Sequence, residues 1–580
     1  MNISEVEKQT GLLATTIRYY ERLGLVQAGR RENGYRTYDG AAVEMLCRIR
    51  QLRELGISLA DIRLWKDGVV TREELIAKRL RAIEDDGVKN QKCRQLCRAL
   101  LRGEEGTAPL MEGTDFCEEE TAEELPDCPL LLGIDIGTTS LSAQVIASDS
   151  GRCVQTYNFD HRAAVYSKDR PDAYAADAAL LIERALALVA SVLDAYEGIA
   201  SIGITGQMHG LVCLSETGEI LSPFYTWQNE FGLRRPDGKQ TICQEVAALI
   251  GEGIPTGYGI MTYYALRKLD LLPAGTARIV TIMDLLASRL TGNAPMIHPT
   301  NAAAWGAYDL QANAFRQDAL DKLQIAQDIL PEVTADYALA GYYAVKERRI
   351  PVAVAIGDNQ AGVFGSFADN RMTLINIGTS GQVSRICEAP SAGGDLRPYF
   401  DGSYLLSGAT LCGGRAYAQL KTFIRTVLEG FGCEVSDQEI YRYMNHGAEQ
   451  GFDSGLCVDT RFSGTRSDPA VRGSISGIGL RNFTPEALSA GFLSGIVSEL
   501  YEMYTAMQPE GELCAVASGN AIRKNPVLRK LCGTIFGKMP QIPVHTEEAA
   551  FGAALYGGIS AGILTREESF ACIHYIKEEF

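Results

Sequence analysis

Several features of secreted and membrane proteins are missing from this sequence of 580 residues. No segment approaches the roughly 20 uninterrupted apolar residues of a membrane-spanning helix, and residues 1–11 lack the basic start and apolar run of a signal peptide. The 15 cysteines are odd in number and never form a CxxC pair, which favours reduced thiols over a disulfide framework. We therefore expect a cytoplasmic protein with no membrane partner.

Basic residues are also absent from one segment. Residues 104–127 hold 10 acidic residues and no basic ones, whereas residues 1–103 hold 20 basic and 14 acidic residues in a chain of net charge −17. A basic N-terminal region on an acidic protein favours nucleic-acid binding by that region alone. The alternative is a solvated helical surface that is rich in arginine.

These shifts in composition divide the chain. We expect a DNA-binding domain over 1–70 and a dimerisation helix over 71–102, whose length and apolar stripe suit a coiled coil although Gly87 weakens its middle. An acidic linker without sustained periodicity follows over 103–128. Beyond it, strand and helix patterns alternate to the C-terminus, as in an α/β fold.

The first 60 residues have the pattern of a winged helix. Asn33-Gly34 tolerates the positive φ angles of a two-residue hairpin turn, and Ser58 is placed to cap a helix. Three short helices and one hairpin are predicted before that cap: helices over 3–10, 14–23 and 41–55, and a hairpin over 30–38.

Side chains suited to DNA lie on the second helix and on the hairpin. Polar and basic residues on such a helix can reach base edges in the major groove, and cations on a hairpin can neutralise backbone phosphates. Each residue alone has a structural alternative, because a lone arginine is usually solvated and paired tyrosines usually belong to a core. The candidate DNA-binding residues are Thr16, Arg18, Tyr19, Tyr35 and Arg36.

As a whole, this arrangement resembles the MerR family of transcriptional regulators. The matching segments are Arg18-Tyr19-Tyr20-Glu21, Gly24-Leu25, Gly34-Tyr35-Arg36 and residues 52–62. The resemblance covers about the first 100 residues. It implies a homodimer joined through the 71–102 helix, a palindromic operator DNA and an effector domain after that helix. One departure is Leu13-Ala14 where the family has a polar helix cap, with Thr15 as the alternative cap.

Two glycine turns further along the chain are suited to binding phosphate. The first phosphate loop, GIDIGTTS (133–140), runs from a strand into a glycine turn, and the second phosphate loop, NIGTSG (376–381), repeats this design. Backbone N–H groups in such turns bind phosphate, and the threonines add donors. Asp135 can orient Mg²⁺ through water. A single turn of this kind is more often only a tight β-turn, but two copies favour two related halves.

Further segments supply the other parts of a phosphoryl-transfer site. In AIGDNQA, Asp358 follows a strand and can accept the proton of an attacking hydroxyl, although an isolated motif of this kind is more often a helix cap. TGQMHG (205–210) and Trp227-Gln228-Asn229 offer the polar and aromatic groups that a sugar needs. Ser518-Gly519-Asn520 and the small residues of 548–554 can admit an adenine ring close to the backbone.

In this order, the segments resemble the FGGY carbohydrate kinases over residues 130 to about 565. The resemblance implies an α/β kinase of two actin-like (ribonuclease H-like) lobes, over 129–365 and 366–580. An all-helical winged helix-turn-helix domain with a dimerisation helix is expected to precede it. ATP and Mg²⁺ are the implied cofactors, and the implied substrate is a ketose. Segments 256–259 and 298–303, with QMHG and TWQ, look most like sedoheptulokinases, and xylulokinases are the nearest competitor.

The sequence motifs and the family resemblance together predict the residues of an active site. Asp358 is the implied catalytic base. The ATP-binding candidates are Asp135, Gly137, Thr138, Thr139, Gly378, Thr379, Gly519 and Asn520. The sugar-binding candidates are Gln207, Met208, His209, Trp227, Asn229 and Asp358.

Two positions depart from the family pattern. Asn229 stands where the family has an acid, and Ser142 stands where a Lys or Arg usually follows the first phosphate loop. Three hypotheses remain open: a DNA-binding regulator fused to an active kinase, a transcription factor that senses sugar without turnover, and a kinase whose N-terminal domain only dimerises. Asp358 and both phosphate loops favour the first hypothesis over the second, and Arg18 and Arg36 argue against the third.

Overall fold

The protein forms two compact units. The computed structural model describes residues 1–30, 36–85, 91–102, 125–165, 168–465, 468, 470–509 and 511–576. The first unit consists of Met1–Pro126 together with residues 184–197, and the second unit consists of Asp127–Glu183 and Gly198–Phe580. Among the described helices, none combines the length and the apolar character that crossing a bilayer requires.

The first unit begins with short helices and one antiparallel pair of strands. The predicted helices over 3–10, 14–23 and 41–55 are confirmed within a residue or so at each end. Ser58 caps the fourth helix by accepting a hydrogen bond from the N–H of Asp61. These elements are α1 (Ile3–Thr10), α2 (Ala14–Arg22), β1 (Gly29–Arg30), β2 (Arg36–Thr37), α3 (Gly40–Glu54), α4 (Leu59–Lys66), α5 (Arg72–Asp85) and α6 (Gln91–Leu101).

The start of α2 is capped from another helix. Leu13 is the N-cap residue and makes no side-chain cap, and Thr15 lies inside the helix, so the prediction that Thr15 is the cap is wrong. The carboxylate of Glu7 on α1 instead accepts the hydrogen bond of the Ala14 N–H at 2.6 Å. This bond satisfies one of the N–H groups that a helix start leaves open and ties the two helices together.

The hairpin is present as a two-residue ladder. Gly29 pairs with Thr37 in the antiparallel β1–β2 register. The first unit therefore contains strands, and the prediction that this domain is all-helical is wrong. Residues 31–35, which include the predicted Asn33-Gly34 turn and Tyr35, lie outside the described residues. The hairpin is held to α2 by Glu21, which forms an ion pair with Arg36 at 2.8 Å.

The segment expected to form one dimerisation helix is two helices. α5 ends at Asp85 and α6 begins at Gln91, with residues 86–90 outside the described part of the chain. The two helices contact each other, so the expectation of an unbroken helix over 71–102 is wrong. The physical reason lies in α6, whose apolar stripe of Cys93, Cys97 and Leu100 is buried inside the unit.

Residues 184–197 complete the first unit. They comprise most of helix α7 (Ala178–Ala195) and the turn that follows it. Arg184 and Glu74 form the most enclosed contact, with side chains 16% and 9% exposed. Three polar pairs within the unit join these residues to α4 and α5: Arg184 with Glu74 at 3.0 Å, Arg63 with Asp194 at 2.8 Å, and Ser191 with Asp67 at 2.6 Å.

The second unit contains two mixed sheets and their helices. Its first part comprises β3 (Leu130–Ile136), β4 (Ser140–Ala147), β5 (Cys153–Asp160), β6 (Ala164–Val165), β7 (Ala175–Ala176), β8 (Ile199–Gly206), β9 (Val212–Leu214), β10 (Phe224–Tyr225), α8 (Ile242–Ile250), α9 (Gly259–Lys268), β11 (Arg278–Val280), α10 (Ile282–Thr291), β12 (Met296–Ile297), α11 (Pro299–Ala303), β13 (Tyr308–Asp309), β14 (Ala314–Phe315), α12 (Gln317–Leu323), β15 (Glu332–Val333), β16 (Leu339–Val345), β17 (Arg348–Ala353), β18 (Ile356–Gly357) and α13 (Asp358–Phe364).

The second part of this unit has fewer and longer helices. It comprises β19 (Thr373–Ile377), β20 (Gly381–Cys387), β21 (Asp395–Pro398), β22 (Tyr404–Thr410), α14 (Gly414–Gly430), α15 (Asp437–Gly451), β23 (Cys457–Asp459), β24 (Ser474–Ser476), α16 (Pro485–Ala506), β25 (Ala515–Ser518), α17 (Asn520–Lys524), α18 (Pro526–Phe536), α19 (Glu548–Ser560) and α20 (Arg566–Ala571).

The two sheets repeat one strand pattern. The first sheet has the order β16-β17-β8-β3-β4-β5, in which β3, β4 and β5 are antiparallel neighbours and β8 runs parallel to β3. The short strand β18 also belongs to this sheet and pairs in parallel with β8. The second sheet has the order β21-β22-β20-β19-β25, in which β19, β20 and β22 are antiparallel neighbours and β25 runs parallel to β19. The repetition confirms the two related halves that the paired phosphate loops predict.

Helix α19 packs on the first sheet although it follows the second sheet in the chain. A Cβ atom on Gly133 would lie 1.8 Å from the carbonyl oxygen of Ala550, and one on Gly203 would lie 1.7 Å from that of Ala553. The helix and strand backbones can therefore meet only because both strand positions are glycine. Ala550 and Ala553 thus serve this packing, and the expectation that residues 548–554 admit adenine stays a prediction.

Candidate active site

Three parallel strands of the first sheet end at one edge. Asp135 on β3 lies in register with Thr205 on β8, and Thr205 lies in register with Ile356 on β18. The carboxyl ends of such strands are where α/β sheets commonly bind ligands. The side-chain amide of Gln207, just beyond β8, donates to the carbonyl of Gly137, just beyond β3, at 2.9 Å. The first phosphate loop and the TGQMHG segment are thus joined at this edge.

Both phosphate loops are tight hairpin turns. The N–H of Gly137 donates to the carbonyl of Ser140 at 2.9 Å, and the N–H of Gly378 donates to the carbonyl of Ser380 at the same distance. Hydroxyl groups at the tips of such turns can add to the backbone donors around a phosphate. The threonines of both turns are exposed: Thr138, Thr139 and Thr379.

The second phosphate loop lies beside the Ser518-Gly519-Asn520 segment. The amide of Asn376 on β19 donates to the hydroxyl of Ser518 on β25 at 2.7 Å. Gly519 has a φ of +93°, and a Cβ atom there would lie 2.6 Å from the carbonyl oxygen of Ile377. Only glycine meets both constraints. Asn520 begins α17 with an exposed side chain.

Asp358 is the first residue of α13, directly after β18. Its carboxylate accepts a hydrogen bond from the N–H of Asn359 at 2.8 Å. Burial raises the pKa of Asp358 to about 6, and the Asn359 N–H and the charge of Arg397 act in the opposite direction. A carboxylate with this pKa is ionised at neutral pH and is a stronger base than an ordinary aspartate.

Asp135 is the second acid at this edge. Burial raises the pKa of Asp135 to about 8, and the charges of Asp358 and Glu547 add to that effect. Its Oδ1 atom is shielded from solvent and has no hydrogen-bond partner in the described part of the chain. A shielded carboxylate oxygen near two other acids fits Mg²⁺, which binds through one or two carboxylates, water and phosphate oxygens.

The acids at this edge do not form a complete metal site by themselves. Within the described ranges, no group of three or more His, Cys, Asp or Glu side chains could hold a metal ion by itself. Water and nucleotide phosphates would therefore supply most of the ligands of an ion at Asp135.

The His209 ring is held in a fixed position. Its Nδ1 atom is 2.7 Å from the carbonyl oxygen of Ala304, and since a carbonyl only accepts, Nδ1 carries the proton. The ring stacks on Tyr258 with centroids 4.2 Å apart. Met208 is buried, and a Cβ atom on Gly357 would lie 2.9 Å from its Cε. These contacts bring the TGQMHG segment, the 256–259 segment and the start of α13 together.

Trp227 and Asn229 have different surroundings. The indole N–H of Trp227 donates to the hydroxyl of Thr138 at 3.1 Å, and its side chain is 45% exposed. Asn229 is fully buried, where its amide donates to the Ala173 carbonyl at 2.8 Å and accepts from the Phe231 N–H at 3.1 Å. The Asn229 side chain thus fastens its own loop, and its role in sugar binding stays a prediction.

Hydrogen-bonded polar side chains occupy the position where the family has a cation. Ser142 on β4 lies in register with Asp135 and is buried. The amide of Asn158 donates both to the Ser142 hydroxyl and to the carboxylate of Glu547, each at 3.0 Å. The serine therefore takes part in a hydrogen-bonded bridge to an acid of the site.

One cation of the site was missed by the sequence patterns. Arg397 on β21 has a side chain only 8% exposed and forms an ion pair with Asp395 at 2.6 Å. Its Nη1 atom lies 3.4 Å from the sulfur of Met208. The only sequence signal for it is an arginine within a short strand, which is too common to be informative.

Three of the five candidate DNA-binding residues lie on α2, a helix with one buried side. Ile17 and Tyr20 of α2 are buried, whereas Arg18 between them in sequence is exposed. Thr16 and Tyr19 are half-buried. Arg18 is therefore the exposed candidate on this helix, and Arg36 on the hairpin is exposed as well.

Family comparisons agree with this division of the chain. Residues 1–68 match the MerR HTH family of regulatory proteins. Residues 130–365 match the N-terminal domain of the FGGY family of carbohydrate kinases, and residues 373–561 match the C-terminal domain of that family.

Individual relatives are similar over most of their length. Sedoheptulokinase of Mus musculus is 26% identical over 481 residues, which cover 74% of this chain and 97% of the mouse protein. Xylulose kinase of Lactococcus lactis subsp. lactis (strain IL1403) is 25% identical over 487 residues, which cover 78% and 92%. The structure of ligand-bound xylulose kinase from Lactobacillus acidophilus superposes with a TM-score of 0.66 at 19% identity, covering 77% and 93%. The last likeness concerns the fold alone.

Proposed function

Because this chain belongs to the FGGY family of carbohydrate kinases and begins with a MerR-type DNA-binding domain, we propose that it is a transcriptional regulator that also phosphorylates a ketose with ATP. One observation carries the catalytic part of the proposal. The ends of β3, β8 and β18 bring the first phosphate loop, Gln207 and Asp358 to the same edge of the first sheet.

In this proposal Asp358 accepts the proton of a sugar hydroxyl as its oxygen attacks the γ-phosphorus of ATP, and ADP leaves. The backbone N–H groups and threonines of the two phosphate loops hold the phosphates. Gly519 and Asn520 lie at the adenosine. Asp135 would hold Mg²⁺ through water, and the ion would offset the negative charge of the phosphates.

The proposed sugar is a ketose of about seven carbons, with a five-carbon ketose second. Support comes from the 256–259 and 298–303 segments, which look most like sedoheptulokinases, and from the names of the relatives. Both segments contribute to this region, since Tyr258 stacks on His209 and the Thr300 hydroxyl accepts the Gly357 N–H at 3.0 Å.

The test of the sugar is a comparison of kcat/KM, measured by ADP release, across sedoheptulose, xylulose, ribulose and glycerol. We expect the highest value for sedoheptulose and the next for xylulose. Turnover of glycerol alone would overturn the ketose assignment, and no turnover with any of these compounds would overturn the kinase assignment.

A second candidate function is a sugar sensor without turnover. The observation that favours it is Ser142, which replaces a cation and is bridged through Asn158 to Glu547. Calorimetric titration with the ketose, combined with the ADP-release assay, separates the two candidates. A sensor binds the ketose and produces no ADP, whereas a kinase binds the ketose and produces ADP.

For the first unit we propose operator binding as a homodimer, supported by the exposed Arg18 and by the hairpin strands Gly29–Arg30 and Arg36–Thr37. Selection from random duplex DNA tests it, and we expect an enriched palindrome. Sedimentation of the same protein should give the mass of a dimer. A monomer that enriches no sequence would contradict this part of the proposal.

A further inference from the structure

Arg397 is a buried cation whose hydrogen-bonding capacity is only partly used. Its Nε and Nη2 atoms donate to the Asp395 carboxylate at 2.9 and 2.6 Å. Its Nη1 atom is directed at the Met208 sulfur, 3.4 Å away, and a thioether is a weak acceptor. A buried guanidinium with one poorly satisfied nitrogen is costly unless another acceptor arrives.

The Nη1 atom of Arg397 lies next to residues of the proposed sugar site. Met208 lies between Arg397 and Gly357, which immediately precedes Asp358. The charge of Arg397 lowers the pKa of Asp358 and so offsets part of the effect of burial. Through Met208, the guanidinium is thus linked to the residue before the proposed base, and His209, which stacks on Tyr258, follows Met208 in the chain.

We propose that Arg397 binds the sugar, with its Nη1–H donating to a ketose oxygen next to the hydroxyl that is phosphorylated. This inference rests on the proposed function. Asp395 holds one edge of the planar guanidinium and thereby aims the remaining nitrogen, which a lysine ammonium could not reproduce with the same geometry. Arg397 is thus a specificity-determining residue contributed by the second sheet.

The position of the charge has a second consequence. A cation near Asp358 stabilises the ionised form of that carboxylate, so Arg397 helps to keep the base deprotonated. Removal of the charge should raise the pH at which the base becomes protonated. A lysine at this position keeps the positive charge, so the pH at which Asp358 becomes protonated should not change. The hydrogen bond from Nη1 to the sugar should still be lost.

The experiment compares Arg397→Met, Arg397→Lys and the control Arg371→Met, whose arginine is 89% exposed and pairs with Asp369 on the surface. We expect Arg397→Met to raise the ketose KM at least about tenfold, as for the loss of a hydrogen bond to a charged group. The ATP KM should change less than about twofold, and the acid limb of kcat/KM should move to higher pH. Arg397→Lys should raise the ketose KM and leave the acid limb in place, and Arg371→Met should change neither.

Calorimetric titration of each protein with sedoheptulose keeps this inference separate from the proposed function. If the wild type binds sedoheptulose without turnover, the kinase proposal fails, and a loss of binding in Arg397→Met still supports the sugar contact. A folded Arg397→Met protein with wild-type ketose affinity would overturn the inference. So would equal losses for ATP and ketose together with an acid limb that does not move, since that pattern indicates a purely structural ion pair.

Discussion

The acidity of Asp358 gives the first prediction. Burial raises its pKa to about 6, so the carboxylate is protonated in an increasing fraction of molecules as the pH falls through that value. A protonated carboxyl cannot act as base, and kcat/KM for the ketose should therefore fall about tenfold per pH unit below about pH 6. A pH–rate profile checks this. A rate that stays constant down to the ordinary aspartate pKa of about 4 would contradict the assignment.

Single residues differed in how well their roles could be predicted. Asp358 and the two phosphate loops stand in local patterns that carry their chemistry with them, and the structure places them at strand ends. Arg397 contacts Met208, 189 residues away in the chain, so no local pattern identifies it. Glu7 caps the next helix at Ala14, outside the usual N-cap position, so the capping pattern does not identify it either. Asn229 was nominated for the sugar by its place in a motif, and only the structure reveals its bonds to Ala173 and Phe231.

At the scale of elements, close packing of α19 on the first sheet gives a second prediction. Gly203→Ala places a Cβ atom 1.7 Å from the Ala553 carbonyl oxygen, which requires the helix to move away from β8. Overpacking of this kind costs on the order of 3 kcal/mol, and the melting temperature should fall clearly. Gly430→Ala on α14 is the matched control, because its Cβ atom meets nothing within 4 Å. Equal melting temperatures for the two variants would contradict the packing account.

The exposed arginine of α2 gives a third prediction. Arg18→Ala should weaken operator binding and reduce the slope of log affinity against log salt by about 0.9 if one phosphate contact is lost. Gel-shift titration at several salt concentrations measures both quantities. Arg371→Ala, in the second unit, also removes an exposed arginine and should change neither. Unchanged binding by Arg18→Ala would leave the first unit as a dimerisation module.

Helices and strands were predicted best where one local sequence signal was sufficient to define them. The helices over 3–10, 14–23 and 41–55 follow from local periodicity and capping, and the repeated sheets follow from the repeated loops. The 71–102 segment shows the limit of such reasoning. An apolar stripe has the same sequence whether it packs on a partner chain or inside its own unit. Only the structure reveals that Cys93, Cys97 and Leu100 are buried inside the unit, and dimerisation through this segment stays a prediction.

For the whole molecule we predict that sugar and DNA affect each other's binding. Helix α7 has residues in both units, and Arg184 on it pairs with Glu74 inside the first unit. Operator affinity should change by roughly 5- to 150-fold in the presence of ketose and a non-hydrolysable ATP analogue, the usual range for coupled sites. Glu74→Gln, which removes the charge of that pair, should reduce the change.

The alternative is that the acidic segment over 103–128 only tethers two independent activities, and residues 103–124 of it lie outside the described part of the chain. Operator titrations at one salt concentration, with and without both ligands, decide between the two. If the dissociation constant for the operator is the same with and without the ligands, the two activities are independent. The fusion would then only ensure that the two domains are produced in equal amounts.

The central claim is that this chain transfers phosphate from ATP to a ketose, and phosphorus NMR of the reaction tests it most directly. With sedoheptulose, ATP and Mg²⁺, the full chain should form one sugar phosphate for each ADP. Asp358→Asn should be slower by at least about a hundredfold, the scale of a lost general base, with little change in ATP affinity. The account is contradicted if the wild type binds both substrates and forms no sugar phosphate, or if Asp358→Asn forms it at the wild-type rate.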